Sequence, residues 1–244
     1  MLFIFYWEDF MKLTERLKKI VEYIPYGTKV ADIGTDHGFI PVYLIENNIA
    51  SYVIASDLKS GSLNKAIEEI KKRGLQSFID TRLGNGLSVL KPHEVEVVVI
   101  AGMGGILISQ ILEESKEIAK TIQRFILQPM RDSDYLRKYL VENGYKIYDE
   151  DLVKEKQKYY EIIVAEHGRQ NIKNDIYYDI GQKLIEKNHP LLKDFVQYKI
   201  DKIQRIINKL PKEKKKYNQL KEKLEKFEVL RDGLKMSNNS FYDG

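Results

Sequence analysis

Cysteine is missing from all 244 residues, which removes disulfides, thiolate metal sites and cysteine nucleophiles from consideration. Histidine is scarce: the four copies include no pair at ligand spacing, so a zinc centre is not expected. A long hydrophobic run is also lacking. The apolar opening MLFIFYWEDF is too short to span a bilayer, and it has neither the basic start nor the small-residue cleavage site of a signal peptide. Met11 then opens an ordinary-looking start, Lys12-Leu13-Thr14-Glu15-Arg16-Leu17. Residues 1–10 therefore read as an upstream extension and Met11 as the physiological first residue. The want of disulfides fits a cytoplasmic protein.

What is present is globular: 43% of residues are hydrophobic and 31% charged. The formal charge of +4 is unevenly spread. Residues 175–244 hold 16 Lys and Arg against 11 Asp and Glu, while the rest of the chain holds 24 against 25. A basic module on a near-neutral domain points to an anionic partner, most often nucleic acid, or else to a solvated lysine-rich helix.

The apolar spacing at Leu13, Leu17, Ile20, Val21 and Ile24 predicts a helix ended by Pro25 and Gly27. Short apolar strands are predicted at 29–33, 52–56, 78–82, 95–101 and 124–128, the last stopped by Pro129. Helices are predicted at 38–48, 60–73, 106–119 and 133–143, between the strands. Residues 146–153 and 159–165 read as a closing antiparallel pair. Uniformly apolar strands alternating with helices predict an α/β fold with a mostly parallel sheet covered on both faces. From Gly168 onward the strand signal disappears. Phe195, Ile200, Ile203, Ile207 and Leu210 form one helical seam. Tyr217, Leu220, Leu224, Phe227 and Leu230 form another, which fits a two-helix coiled coil or a helical hairpin packed on the core.

The chemistry gathers at strand ends. Asp32-Ile33-Gly34-Thr35-Asp36-His37-Gly38 follows the first strand, where open α/β sheets bind nucleotide-like ligands. It lacks the Gly-x-Gly-x-x-Gly dinucleotide fingerprint. Its Asp32 carboxylate suits the cationic amino-acid end of S-adenosylmethionine and would repel a pyrophosphate. Asp57, about 20 residues after the glycine turn, is placed to bind two ribose hydroxyls or to cap a helix. Asn85, within Gly84-Asn85-Gly86, offers a donor and an acceptor to an adenine edge, or simply makes a turn. Gly102-Met103-Gly104-Gly105 stands where amino-methyltransferases carry Asp/Asn-Pro-Pro-Tyr. With no polar side chain there, the segment leans toward methylation of a ring nitrogen. Asp36 either stabilises a cationic methylated base and takes its proton, or orders its own loop.

In order and spacing, DIGTDHG, SDLKSGSL, RLGNGL, VVVIAGMGG and FILQPM closely resemble the TrmK family, bacterial tRNA (adenine-22-N1)-methyltransferases. The resemblance covers residues 11–235. It implies a Rossmann-like class I methyltransferase domain with a seven-stranded, mostly parallel sheet over 11–167. It further implies an all-α coiled-coil domain over 168–236 that helps hold tRNA, leaving 237–244 as a flexible tail. It implies S-adenosyl-L-methionine as cofactor, held by Asp32, Gly34, Thr35, His37, Gly38, Asp57, Leu58, Asn85, Gly86, Ala101 and Gly102. Catalytic roles fall to Asp36, Met103 and Gln128, with Met103, His37 or Phe39 stacking on a flipped base. No metal and no membrane are implied, and a monomer is the simplest expectation. Met130 departs from relatives with a polar residue such as Asn there, which removes a hydrogen bond to the base. The rival readings are a methyltransferase-fold RNA-binding protein and a methyltransferase acting on another substrate.

Overall fold

The computed structural model describes residues 11–239, with side chains through Leu234. The extension expected at 1–10 lies outside the described residues. Seven strands form one sheet: β1 (Thr28–Ile33), β2 (Ala50–Asp57), β3 (Ile79–Leu83), β4 (Val97–Gly104), β5 (Arg124–Arg131), β6 (Tyr145–Glu155) and β7 (Lys158–His167). Their order is β3-β2-β1-β4-β5-β7-β6. The first five are parallel, and β7 inserts antiparallel between β5 and β6.

Helices α1 (Glu15–Glu22), α2 (Phe39–Glu46) and α3 (Ser60–Lys72) cover one face; α4 (Gly105–Glu114), α5 (Lys116–Ala119) and α6 (Ser133–Glu142) cover the other. The pleat decides which residues meet which layer. Val97 and Val99 pack with the first helix layer, Val98 and Ile100 with the second. Both faces of β4 are thus buried, which is why its sequence reads as an unbroken apolar run.

Two strands run further than predicted. β4 continues through Gly102 and Met103 to Gly104, with register irregularities on both sides of Met103. Strict alternation would leave Ala101 and Met103 on one face, but the irregularity turns Ala101 to the first core and Met103 to the second. β5 passes through Pro129 to Arg131, since its pairing with β7 ends at Leu127. Pro129 therefore sits where one side of the strand is an edge, and proline is tolerated there. The single helix predicted over 106–119 is broken at Ser115, whose φ of −124° and ψ of 38° are not helical.

The chain divides into two compact units between Asn171 and Ile172. Residues 168–170 stay with the sheet because Gly168 N–H donates to Gly144 C=O at 2.9 Å and Ile147 N–H to Gln170 Oε1 at 2.7 Å. The second unit is all helical: α7 (Ile176–Ile180), α8 (Gln182–Glu186), α9 (Leu192–Ile207) and α10 (Lys215–Asn239). Phe195, Ile200 and Ile203 of α9 and Phe227 of α10 are buried, and α9 packs on α10. These belong to the expected seams. α10 runs on to Asn239, so the predicted tail from Ser237 begins as helix, and only 240–244 lie outside the described residues.

Candidate active site

A cleft of about 620 Å³ opens at the C-terminal ends of β1 to β4. The strand order reverses between β1 and β4, which is the place where open α/β sheets take ligands. Asp32–His37 line the cleft from the β1 end, Ser56–Lys59 from β2, Gly84–Gly86 from β3 and Ala101–Met103 from β4.

The β1 loop is fastened by its backbone. Gly34 and Thr35 both donate their N–H to Ser56 C=O at 2.8 Å. Gly34 has φ of 85°, and a Cβ there would lie 2.2 Å from Met103 Cε. The positive φ is what calls for glycine, and its missing Cβ leaves the space that the end of the Met103 side chain occupies. Asp32 is 6% exposed, and its burial pushes the carboxyl up to about 6, with the nearby Asp57 charge adding to the rise. The Thr35 hydroxyl opposes this shift without reaching good hydrogen-bond geometry. Thr35 Oγ1 and Ser56 Oγ are in fact the buried side-chain atoms without a partner among the described residues. Such atoms are costly unless a ligand satisfies them.

Asp57 accepts the Lys59 N–H at 2.7 Å through Oδ1, which fixes its carboxylate at the cleft wall. Asn85 precedes a short 3₁₀ turn, Gly86–Val89, but its side chain makes no capping bond. Leu58 is exposed beside Asp57 and offers an apolar surface to the cleft. Asp36 is exposed, and its Oδ2 lies 3.3 Å from His37 Nε2. His37 in turn stacks on Phe39 at 5.1 Å with 8° between the rings. Asp36 makes no hydrogen bond to a loop amide among the described residues, as its loop-ordering alternative would require; its partner is His37.

Two predicted site residues stand apart. Gly38 is buried at the start of α2, where a Cβ would lie 3.2 Å from Ala66 Cβ, so it serves the packing of α2 on α3. Gln128 is fully buried behind the cleft. Its Oε1 accepts from Gly102 N–H at 3.2 Å and from Arg16 Nη1 at 2.6 Å. Thr14, Arg16, Ser56, Lys59, Ser62, Leu107 and Ile111 also line the cleft and were not expected to. Ser56 alone left a trace in the sequence, as a hydroxyl ending an apolar strand. Arg16 was hidden in what reads as an ordinary amphipathic helix.

The displaced pKa of Asp32 has a testable sign. A buried carboxyl with a raised pKa binds its proton more tightly folded than unfolded, so stability falls as pH rises from about 4 to about 6. Asp32→Asn should melt higher than the parent at pH 7 without ligand, and should show no such gain at pH 4. Thermal melts at the two pH values check this; an equal shift at both would contradict it.

A parallel sheet closed by an antiparallel seventh strand, with two carboxylates and a glycine turn at its switch point, defines a Rossmann-like class I methyltransferase. Residues 30–229 match the family model TrmK, described as tRNA (adenine(22)-N(1))-methyltransferase, and the chain belongs to that family. It is 42% identical over 158 residues to the tRNA (adenine(22)-N(1))-methyltransferase of Bacillus subtilis, across 65% of this chain and 66% of that one, just under two thirds. The crystal structure of the B. subtilis M1A22 tRNA methyltransferase TrmK superposes with a TM-score of 0.77 at 33% identity, covering 93% of this chain and 99% of that one. A Streptococcus pneumoniae protein solved in complex with S-adenosyl-L-methionine superposes with a TM-score of 0.83 at 28% identity, over 90% and 100% of the two chains.

Proposed function

We propose that this chain methylates N1 of an adenine in tRNA, at position 22 by its family, using S-adenosyl-L-methionine. The observation that carries the reading is the cleft itself. It combines a buried carboxylate, a second carboxylate fixed at the wall and two unpartnered hydroxyls around a glycine turn.

These residues fit the cofactor. Asp32 with Thr35 would take the ammonium end, Asp57 the ribose hydroxyls and Asn85 the adenine edge, with Leu58 against the adenine face. His37, Gly86, Ala101 and Gly102 complete the wall. When bound, S-adenosyl-L-methionine supplies an electrophilic methyl group on a sulfonium. The protein's own share is alignment and charge. Met103, held over Gly34, is an apolar guide for the flipped purine, and the stacked His37–Phe39 pair is a platform at the cleft wall. N1 is a ring nitrogen with its own lone pair, so no base is needed to create the nucleophile. Asp36 faces the positive charge that methylation leaves on the ring and takes the proton lost from its amine. Gln128 acts through Gly102 and Arg16 rather than by touching the base.

The second unit supplies the hold on RNA. Lys212, Lys214, Lys215 and Lys216 are exposed on the segment between α9 and α10 and its start. Lysines of this kind contact phosphates and position RNA without reading its sequence. We read α9 and α10 as the coiled-coil arm of this unit. Among the described residues no helix is long and apolar enough to cross a membrane, and no group of side chains could hold a metal ion. With tRNA as substrate, the place of action is the cytoplasm.

Incubating unmodified tRNA with the protein and labelled cofactor, then digesting to nucleosides for mass spectrometry, tests the assignment. It should yield 1-methyladenosine at one site; label in another nucleoside, or none, would refute it. Removing residues 172–244 should weaken tRNA binding at least tenfold and leave cofactor affinity within about twofold, because phosphate contacts dominate such affinities. Filter binding and calorimetry separate the two.

A further inference from the structure

Arg16 is a cation of the cleft to which the proposed reaction assigns no ligand. It lies outside the stretch matched by the family model, on the first turn of α1, and lines the cleft. Its guanidinium is held without an ion pair among the described residues. The backbone N–H donates to Glu155 Oε1 at 2.8 Å, which ties the start of α1 to the end of β6. The guanidinium sits over the Tyr160 ring, 5.4 Å from its centroid. One nitrogen, Nη1, donates to Gln128 Oε1 at 2.6 Å. Among the described residues no carboxylate oxygen lies within the 4.0 Å of an ion pair. A half-buried arginine usually has such a partner. This one is anchored by a neutral amide and an aromatic face, and the donors on Nε and Nη2 have no partner among the described residues.

The amide is itself built for the purpose. Gln128 is 0% exposed, on the β5 face that meets α1, and its Nε2 donates to Pro129 C=O at 2.9 Å. That bond fixes which end of the amide faces Arg16 and Gly102. A glutamate would hold the arginine too, but would also cancel its charge. A neutral acceptor orients the fork and leaves the full positive charge to act on the cleft.

We infer that Arg16 is an oxyanion-binding residue of the active-site cleft, with Gln128 as its positioning residue. The oxyanion has two possible sources in the proposed reaction, on which this inference rests: the carboxylate of the cofactor's amino-acid end, or a phosphate of the RNA beside the target base. Both are planar or tetrahedral oxygens that a guanidinium fork binds in pairs.

The test compares Arg16→Ala, Arg16→Lys and Gln128→Leu with the parent in three assays. These are calorimetric affinity for S-adenosylmethionine, affinity for 5′-methylthioadenosine, which lacks the amino-acid end, and KM for tRNA. A charged hydrogen bond of this kind is worth about 10- to 100-fold. If the cofactor carboxylate is the ligand, Arg16→Ala loses that much affinity for S-adenosylmethionine and none for methylthioadenosine. If an RNA phosphate is the ligand, both small molecules bind as before and KM for tRNA rises by that factor. Arg16→Lys keeps the charge and should lose less; Gln128→Leu should follow the same pattern in weaker form, and Gln128→Glu, which holds the guanidinium but cancels its charge, should lose at least as much as Gln128→Leu. Equal losses for both small molecules, or no change in any assay, would overturn the inference. Should Arg16→Ala fail to fold, Arg16→Lys and Gln128→Leu carry the same discrimination. The two small-molecule assays do not involve tRNA, so a protein that proves inactive on tRNA refutes the proposed function without touching the cofactor arm.

Discussion

Gly105→Ala is expected to lower stability by about 1–3 kcal/mol, as overpacking does, and to cut kcat/KM for the proposed tRNA methylation about 100-fold. A Cβ on Gly105 would stand 2.1 Å from the carbonyl oxygen of Asp132 and 2.8 Å from its carbonyl carbon, where ordinary contact begins near 3.4 Å. These are backbone atoms at the β5–α6 junction and cannot swing aside as a side chain would. The start of α4 must therefore move by about an ångström. That turn carries Leu107 into the cleft, and it follows directly on Ala101, Gly102 and Met103, which line it as well. A shift of this size is enough to spoil alignment for an in-line transfer. Gly61→Ala is the control, since it is a helical glycine with nothing within 4 Å of its added Cβ. Urea unfolding and initial rates measure the two effects. A Gly105→Ala protein as stable and active as the Gly61→Ala one would contradict the packing argument.

The same comparison divides a motif that reads as one unit in the sequence. Gly102 has φ of 81° and open space around its missing Cβ, so it serves the turn. Gly104 faces the flexible Arg131 side chain, and Gly105 faces backbone. Composition alone presents three equivalent glycines. Their separate roles depend on β5 and α6, more than 20 residues downstream, and no local pattern encodes that.

Periodicity carried the sheet well. Every strand of the first unit was legible, from a period of 2 or, as in β4, from an unbroken apolar run, and so were its helices through α6 from a period of 3.6, except that α4 and α5 read as one helix and the break at Ser115 left no signal. What failed were ends governed by neighbours. Pro129 stops an isolated strand but not one whose β7 side is already free. Met103 changes face because of an irregularity that only pairing with β5 creates. That Asp32, Gly34 and Asp57 come together at one cleft was legible, since strand ends in a parallel sheet converge by topology. Arg16 and Gln128 were not connected, because their contact spans 112 residues. The burial of Asp32, and so its displaced pKa, also follows from three strands and a helix layer rather than from its own segment.

Arg137→Leu should destabilise the protein by about 3–5 kcal/mol at pH 7, the usual result of removing one member of a buried charge cluster. The sequence presents Arg137 as a surface residue of an amphipathic helix, yet its side chain is 0% exposed. Nε donates to Glu150 Oε1 at 2.6 Å and Nη2 to Glu161 Oε2 at 2.8 Å, while Ser133 Oγ donates to Glu161 Oε1 at 2.8 Å. Burial works against the guanidinium charge, but Glu150 and Glu161 outweigh it and hold its pKa above the ordinary arginine value. Without the arginine two carboxylates remain close together, Glu150 wholly buried, and at least one must take up a proton. Its pKa in the folded variant then exceeds the unfolded value. The folded state binds more protons in that interval, so the variant regains stability as pH falls from 7 toward 5. The parent keeps Arg137 beside both carboxylates and gains nothing from this cluster, while the contribution of Asp32 is common to both proteins and cancels in the difference. Replacing Arg137 and Glu150 together by leucine removes a charge of each sign and should be milder than Arg137→Leu alone. Urea unfolding of the three proteins at pH 7 and pH 5 measures all of this. A deficit in Arg137→Leu that is unchanged between the two pH values would mean that lost packing, rather than the stranded carboxylates, accounts for it. The cluster joins α6 to β6 and β7, and Ser133 begins the helix immediately after Asp132, whose carbonyl abuts Gly105. The charge network therefore fixes the backbone against which the α4 turn of the active site is packed.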